Sequence, residues 1–230
     1  MIKGVIFDLD GVLVSTDELH FKAWKRLAEE IGIMNFTKED NQRQKGISRM
    51  ESLEVVLKRG SRNYSGEEKL ALAERKNQYY IEQLQGLTGG AVLKDVISTL
   101  QMLRARGIAI GVGSASKNTP LTLEKTGLLQ YIDRISCGLD ITRSKPDPEV
   151  FLVAAQKLKL PSKECLVVED SAAGIMAAKA AHMKSLAVGP EYRLLGADYE
   201  SLTLQSETDW DAILEDGQDN IMHSKKSAAS

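Results

Sequence analysis

Cysteine is scarce in this chain, with only Cys137 and Cys165 among 230 residues. Each stands beside apolar residues, without a CxxC pair or a Cys/His cluster, so buried reduced thiols are expected rather than a disulfide framework or a zinc site. An excess of charge of one sign is also missing. The 30 Lys and Arg are interspersed with 32 Asp and Glu, giving a formal net charge of -2 and no electrostatic footprint for nucleic acid. No apolar run reaches the roughly 18 residues that a membrane-crossing helix needs. The opening "MIKGVIFDLDG" lacks the charged, apolar and small-residue zones of a signal peptide. Nucleic acid and membrane are therefore not expected partners, and a cytoplasmic location is expected. What remains, 43% hydrophobic and 27% charged residues, suffices for one large domain or a domain carrying a smaller one.

Short β-branched runs recur at Gly4–Phe7, 108–113, 165–168 and 185–188, each reading as a buried strand. Between the later runs, segments 92–106, 120–127, Glu149–Leu158 and 171–182 carry apolar residues at helical spacing. Strand alternating with helix implies an α/β fold, a doubly wound parallel sheet. From about Thr16 to Thr88 the alternation stops. "HFKAWKRLAEEIGI", "SRMESLEVVLKRG" and "GEEKLALAERKNQYYIEQLQGL" read as three or four amphipathic helices with no convincing strand. The expected organisation is a catalytic core over 1–15 and 89–222 and a small all-helical cap over 16–88 at the carboxyl edge of the sheet, where α/β folds bind ligands. Residues 223–230 are expected to be a disordered tail.

Four clusters fall at expected strand ends. In "FDLDG", Asp8 and Asp10 are two residues apart and face the same way, so two anions crowd one spot and need a cation or a shared proton. In "GVGSASKN", Ser114, Ser116, Lys117 and Asn118 lead into a helix, and hydroxyls, free N–H groups and an ammonium together suit a phosphate. In "RSKPDPE", Lys145 precedes a Pro-x-Pro pair that stiffens its loop. In "CLVVEDSAAGI", Glu169 and Asp170 stand at the mouth of a buried strand, as Mg²⁺ requires of its hard oxygen ligands. Each cluster alone has an ordinary explanation: a capping turn, a Ser/Asn helix cap, a solvated lysine, an acidic helix start. Together they describe a Mg²⁺-dependent phosphoryl-transfer site.

Taken in order, DxDGV, S-x-S-K-N, S-K-P and E-D resemble the haloacid dehalogenase superfamily up to about Gly189. Within it, "ELHFKAWKRLAEEIGI", "KGISRMESL" and "ERKN" are similar to the helical cap of a sugar-phosphate mutase rather than a generic phosphatase. The resemblance implies that Asp8 is the nucleophile that becomes an aspartyl phosphate and that Asp10 is the general acid/base. It implies Mg²⁺ held by Asp8, the backbone carbonyl of Asp10 and Asp170, with Glu169 close by. Ser114 and Lys145 would hold the transferring phosphoryl group, and Arg49 a distal phosphate. Ala115, Ser116, Lys117 and Asn118 match core-side contacts, while His20, Lys45, Gly46, Ile47, Ser48, Ser52 and Lys76 match cap-side sugar and gating positions. The implied reaction interconverts β-D-glucose 1-phosphate and glucose 6-phosphate through β-glucose 1,6-bisphosphate, the alternative being hydrolysis of small phosphosugars. A cap that opens and closes suggests a monomer. The sequence departs from the family pattern twice: Ser15 replaces an aspartate, and "AVLKDV" lacks a Pro-Gly turn where the chain returns to the core.

Overall fold

The computed structural model describes residues 1–205 and 208–216; the expected tail at 223–230 lies outside them. Six parallel strands form one sheet: β1 (Gly4–Phe7), β2 (Ala109–Gly113), β3 (Arg134–Ser136), β4 (Cys165–Glu169), β5 (Lys184–Ala187) and β6 (Tyr199–Glu200), in the order β3-β2-β1-β4-β5-β6. The strand order reverses at β1, whose neighbours are β2 and β4, and ligands collect at the carboxyl ends of strands beside such a reversal. Four of the six strands follow the expected runs. The other two, β3 and β6, are three and two residues long at the sheet edges, too short to leave a period in the sequence.

Alternation along the strands divides the core into two layers. Val5 and Phe7 of β1 join Val112, Leu166, Val168 and Leu186 on one face, under α5 (Val96–Ala105), α6 (Thr119–Lys125) and α9 (Trp210–Glu215). Ile6 and Val167 point to the other face, under α7 (Glu149–Leu158) and α8 (Ala172–Ala180). Both cysteines are buried and free.

Between β1 and α5 lie four α-helices, a short 3-10 turn at Gly89–Ala91 and no strand: α1 (Asp17–Glu30), α2 (Lys38–Gln42), α3 (Arg49–Leu57) and α4 (Gly66–Leu84). They have a core of their own, built on Trp24, Leu27, Phe36, Leu53, Val56 and Leu72. Three of them start with reciprocal capping boxes, Thr37 with Asp40, Ser48 with Glu51 and Ser65 with Glu68, which satisfy helix N–H groups that would otherwise lack partners. The chain leaves and re-enters the sheet region at one place. Val14 bridges Val92, Ser15 N–H donates to the Ala91 carbonyl at 2.9 Å, and Leu93 N–H donates to the Leu13 carbonyl at 3.0 Å. The expected helix from 92 therefore begins at Val96, because Val92 is taken up in the bridge to Val14 and Leu93 in the bond to Leu13. Where a Pro-Gly turn is absent, Asp95 turns the chain with φ +66°, a left-handed conformation that favours glycine.

Candidate active site

The ends of β1 and β4 lie side by side, so the residues that follow them converge. Asp8 N–H continues the sheet by donating to the Val168 carbonyl at 2.9 Å, which places the Asp8 carboxylate beside Glu169 and Asp170. Gly11 has φ +88°, and a Cβ there would lie 2.1 Å from Asp170 Oδ2. A side chain at Gly11 would therefore displace Asp170 from the cluster.

Lys145 is not a solvated loop lysine. It is 0% exposed, and its ammonium donates to Asp8 Oδ1 and to Glu169 Oε1, both at 2.5 Å. A buried cation is tolerated only when paired, and two carboxylates pair it here. The other oxygen of Glu169 accepts from the backbone N–H of Asp170 and of Ser171 and from the Ser171 hydroxyl, at 2.8 to 2.9 Å. Glu169 thus ties Lys145 to the start of α8. Burial pushes the Asp8 carboxyl well above the usual range against the pull of Lys145, and the neighbouring carboxylates add to the rise. For Asp10, burial lifts the pKa to about 6 although the Thr16 hydroxyl, its hydrogen-bond partner, stabilises the carboxylate.

Across the opening, the helical segment presents cations. Lys76 on α4 is 3% exposed, donates toward His20 Nδ1 at 2.9 Å and lies over the Trp24 and Tyr80 rings. Burial, aided by repulsion from Arg49, lowers its pKa to about 7. Burial and the same two cations hold His20 well below its ordinary value. Arg49, at the first position of α3, pairs with Glu74 at 3.2 Å. Lys45 reaches from the loop between α2 and α3 to Asp170 at 2.9 Å, with Asp17 at 3.4 Å. From the core side, the Asn118 side-chain amide donates to Asn77 Oδ1 on α4 at 2.9 Å. The Ser114 and Ser116 hydroxyls accept from the N–H groups two residues on, which curls the loop after β2.

These groups line one cavity of about 510 Å³. Its wall contains all twelve expected contact residues: His20, Lys45, Gly46, Ile47, Ser48, Arg49, Ser52, Lys76, Ala115, Ser116, Lys117 and Asn118. Asp8, Asp10, Ser114 and Asp170 are also on it, whereas Lys145 and Glu169 lie behind Asp8, off the wall. Sequence reading missed three participants: Thr16, which bonds Asp10; Asn77, which meets Asn118; and Tyr80, whose ring lies 4.1 Å from that of His20. Spacing contained part of their signal. Asn77 and Tyr80 follow Lys76 by one and four positions, and four positions on a helix bring Tyr80 back to the Lys76 face. The departure at Ser15 falls on an exposed side chain, while its neighbour Thr16 is buried.

Asp8, Glu169 and Asp170 each offer a carboxylate oxygen, all within 4.8 Å of one another. Hard oxygens crowded at such spacing fit a divalent cation such as Mg²⁺, which is content with one or two protein carboxylates and keeps several waters. Among the described residues Lys45 alone bonds the Asp170 side chain, so that carboxylate retains free lone pairs for a cation. The Asp10 carboxylate lies outside this acidic group.

The family described as haloacid dehalogenase-like hydrolase matches residues 5–188. The chain belongs to that family. It is 41% identical over 199 residues to a β-phosphoglucomutase of Bacillus subtilis (strain 168), covering 86% of this chain and 88% of that protein. A phosphorylated carbohydrates phosphatase of Thermotoga maritima is 28% identical over 186 residues, 80% of this chain and 84% of that one. Among solved structures, a β-phosphoglucomutase from Clostridium difficile superposes with a TM-score of 0.84 at 34% identity, covering 99% of both chains. The haloacid dehalogenase-like fold, six-stranded parallel sheet and helical insertion after β1, is thus shared along the whole length. Among the described residues no helix is long and apolar enough to cross a membrane.

Proposed function

We propose that this haloacid dehalogenase-like enzyme acts on phosphosugars as a Mg²⁺-dependent mutase that interconverts β-D-glucose 1-phosphate and glucose 6-phosphate. One observation carries the reading: a single cavity has Asp8, backed from behind by the Lys145 ammonium, on its floor and the cations Arg49 and Lys76 on its opposite side. A mutase must hold a sugar bisphosphate with one phosphate at the nucleophile and the other gripped elsewhere, in both orientations. A second anion grip on the far wall meets that requirement. The 41% identity to a β-phosphoglucomutase points the same way.

In this reading Asp8 attacks the phosphorus of the bisphosphate, and its carboxylate oxygen takes the phosphoryl group as the sugar oxygen leaves. Asp10, with a pKa of about 6, gives a proton to that leaving oxygen. The sugar monophosphate then reorients, and Asp10 takes the proton from its other hydroxyl as that oxygen attacks the aspartyl phosphate. The Lys145 ammonium and the Ser114 hydroxyl stabilise the equatorial oxygens while the phosphoryl group is in flight. Arg49 grips the distal phosphate through its planar fork, and His20, Lys45, Ser52 and Lys76 contact the sugar side. Mg²⁺ bound by Asp8, the Asp10 carbonyl and Asp170 would offset the charge between carboxylate and phosphoryl oxygens. Residues 16–88 act as the cap, whose closure on the core of 1–15 and 89–222 excludes water, with the monomer as the working unit.

The test is a coupled assay with Mg²⁺, β-glucose 1-phosphate and a trace of the bisphosphate. Formation of glucose 6-phosphate well above phosphate release is expected. Release of phosphate with no isomer would replace this reading by a phosphosugar phosphatase, the activity named for the Thermotoga maritima relative.

A further inference from the structure

One hydrogen bond crosses from the helical segment to the core between two residues outside the acidic cluster to which the resemblance assigns no role, although they stand within its motifs, Glu51 in "KGISRMESL" and Ser144 in S-K-P. On the cap side, Glu51 is the third residue of α3. Its Oε2 accepts from the Ser48 N–H at 2.8 Å, and the Ser48 hydroxyl accepts from the Glu51 N–H at 3.2 Å. Arg49 lies inside this closed box. On the core side, the loop before Lys145 is held to α7, because Glu149 Oε2 accepts from the N–H groups of Thr142 at 3.0 Å and Arg143 at 2.7 Å. The Ser144 hydroxyl then donates to Glu51 Oε2 at 2.5 Å. Both ends are fixed before they meet, so the bond forms with little further loss of side-chain freedom.

Its position in the chain matters more than its strength. Ser144 is one residue from Lys145, which contacts Asp8; Glu51 is two residues from Arg49, which faces the cavity from the other side. The bond therefore links the backbones that carry the two expected phosphate grips. We infer that Glu51 and Ser144 are a positioning pair, a clasp that sets the spacing between those grips and so decides whether the aspartyl phosphate passes to a sugar or to water. The inference rests on the mutase reading. In either outcome the bond from phosphorus to the Asp8 oxygen breaks, a bond from phosphorus to the attacking oxygen forms, and the attacker's proton goes to Asp10. Only the identity of the attacker differs, and a cap held in register admits the sugar hydroxyl. Burial would raise the Glu51 carboxyl, yet the bonds from Ser144 and Ser48 outweigh it and keep the group below its usual range, so it stays an ionised acceptor at neutral pH.

Ser144→Ala removes the donor and leaves the capping box and the Glu149 anchor intact. With Mg²⁺, β-glucose 1-phosphate and catalytic bisphosphate, the ratio of phosphate released to isomer formed is expected to rise about 3- to 10-fold, the population shift that one such hydrogen bond supports. Ser144→Thr, which keeps the hydroxyl, is expected to restore the ratio. A merely structural role would lower both products together and leave the ratio unchanged, and that result overturns the inference. A second readout does not depend on turnover. Spin labels placed through Arg62→Cys on the cap and Lys163→Cys on the core report the distance between them, and the short-distance population is expected to fall in the Ser144→Ala protein. An unchanged distance distribution overturns the clasp. A wild-type enzyme that only hydrolyses would break the mutase reading instead, and the label distances would still decide whether the clasp exists.

Discussion

The floor and the roof of the cavity are built on opposite terms. On the floor, Asp8 is held from behind by Lys145, which pairs with it and with Glu169 at 2.5 Å in a buried, interlocked set at the ends of β1 and β4. On the roof, Lys76 and Arg49 come from helices that share a separate hydrophobic core, and their partners are the His20 imidazole and one exposed glutamate, Glu74. The floor is acidic, with its cation already in place; the roof brings cations whose natural complement is an anionic ligand. On the proposed function, this contrast would divide chemistry, on the sheet, from selection, on a separately packed helical layer.

Four outcomes would break or sharpen that division. Asp8→Asn removes the proposed nucleophile, and turnover of both kinds is expected to fall by at least about 10³-fold, followed by isomer and phosphate formation together. Isothermal titration should still detect binding of the bisphosphate through the roof. Arg49→Ala is expected to cost about 2–4 kcal/mol in kcat/KM for isomerisation and much less for hydrolysis of a monophosphate, measured side by side. An equal loss in both would place Arg49 on the floor's side of the comparison.

The third outcome uses pH and Lys76. Above about 7 the folded protein releases the Lys76 proton while the unfolded chain keeps it up to about 10.5. The unfolded state then binds more protons, so this group makes stability increase as pH rises through that window and disfavours folding below it. Lys76→Met is expected to raise stability at pH 6 by about 1–3 kcal/mol and to flatten that slope, read by denaturant titration, while weakening phosphosugar binding. For wild type, activity is expected to fall on both sides of about pH 6, since Asp10 gives a proton in one half-reaction and takes one in the other, and substrate affinity to fall above about pH 7 as Lys76 becomes neutral. The smallest effect is Asp95→Gly, which relieves the positive φ and is expected to add about 1 kcal/mol in thermal unfolding without changing kinetics.

The floor was legible in the sequence because its residues sit at the ends of strong strand patterns, and the parallel sheet alone forces such ends together. The strand pattern located Asp8 and Asp170 but could not show that Lys145 sinks behind Asp8 instead of standing in solvent. Burial of that ammonium is a tertiary fact, decided by the Glu169 carboxylate. The roof was legible mostly by family resemblance. Lys76 has Glu74 and Arg75 just before it, so its local pattern is that of a solvated face; only the covering of α4 by α1 buries it beside Trp24. Thr16 left no signal at all, since a threonine before a helix reads as a cap, and here its side chain caps nothing and bonds Asp10 instead. The edge strands β3 and β6 were invisible for a simpler reason of length.

The bridge between Val14 and Val92 has a consequence for how such a protein can change. Topologically, everything between those two residues is one long loop whose ends are neighbours. The entropy of closing a loop grows only slowly with its length, so an insert of another size or design can be spliced at the same pair without shifting any strand register. The helical layer is then an exchangeable cassette. A lineage could trade one substrate for another there while the phosphoryl chemistry beneath stayed untouched.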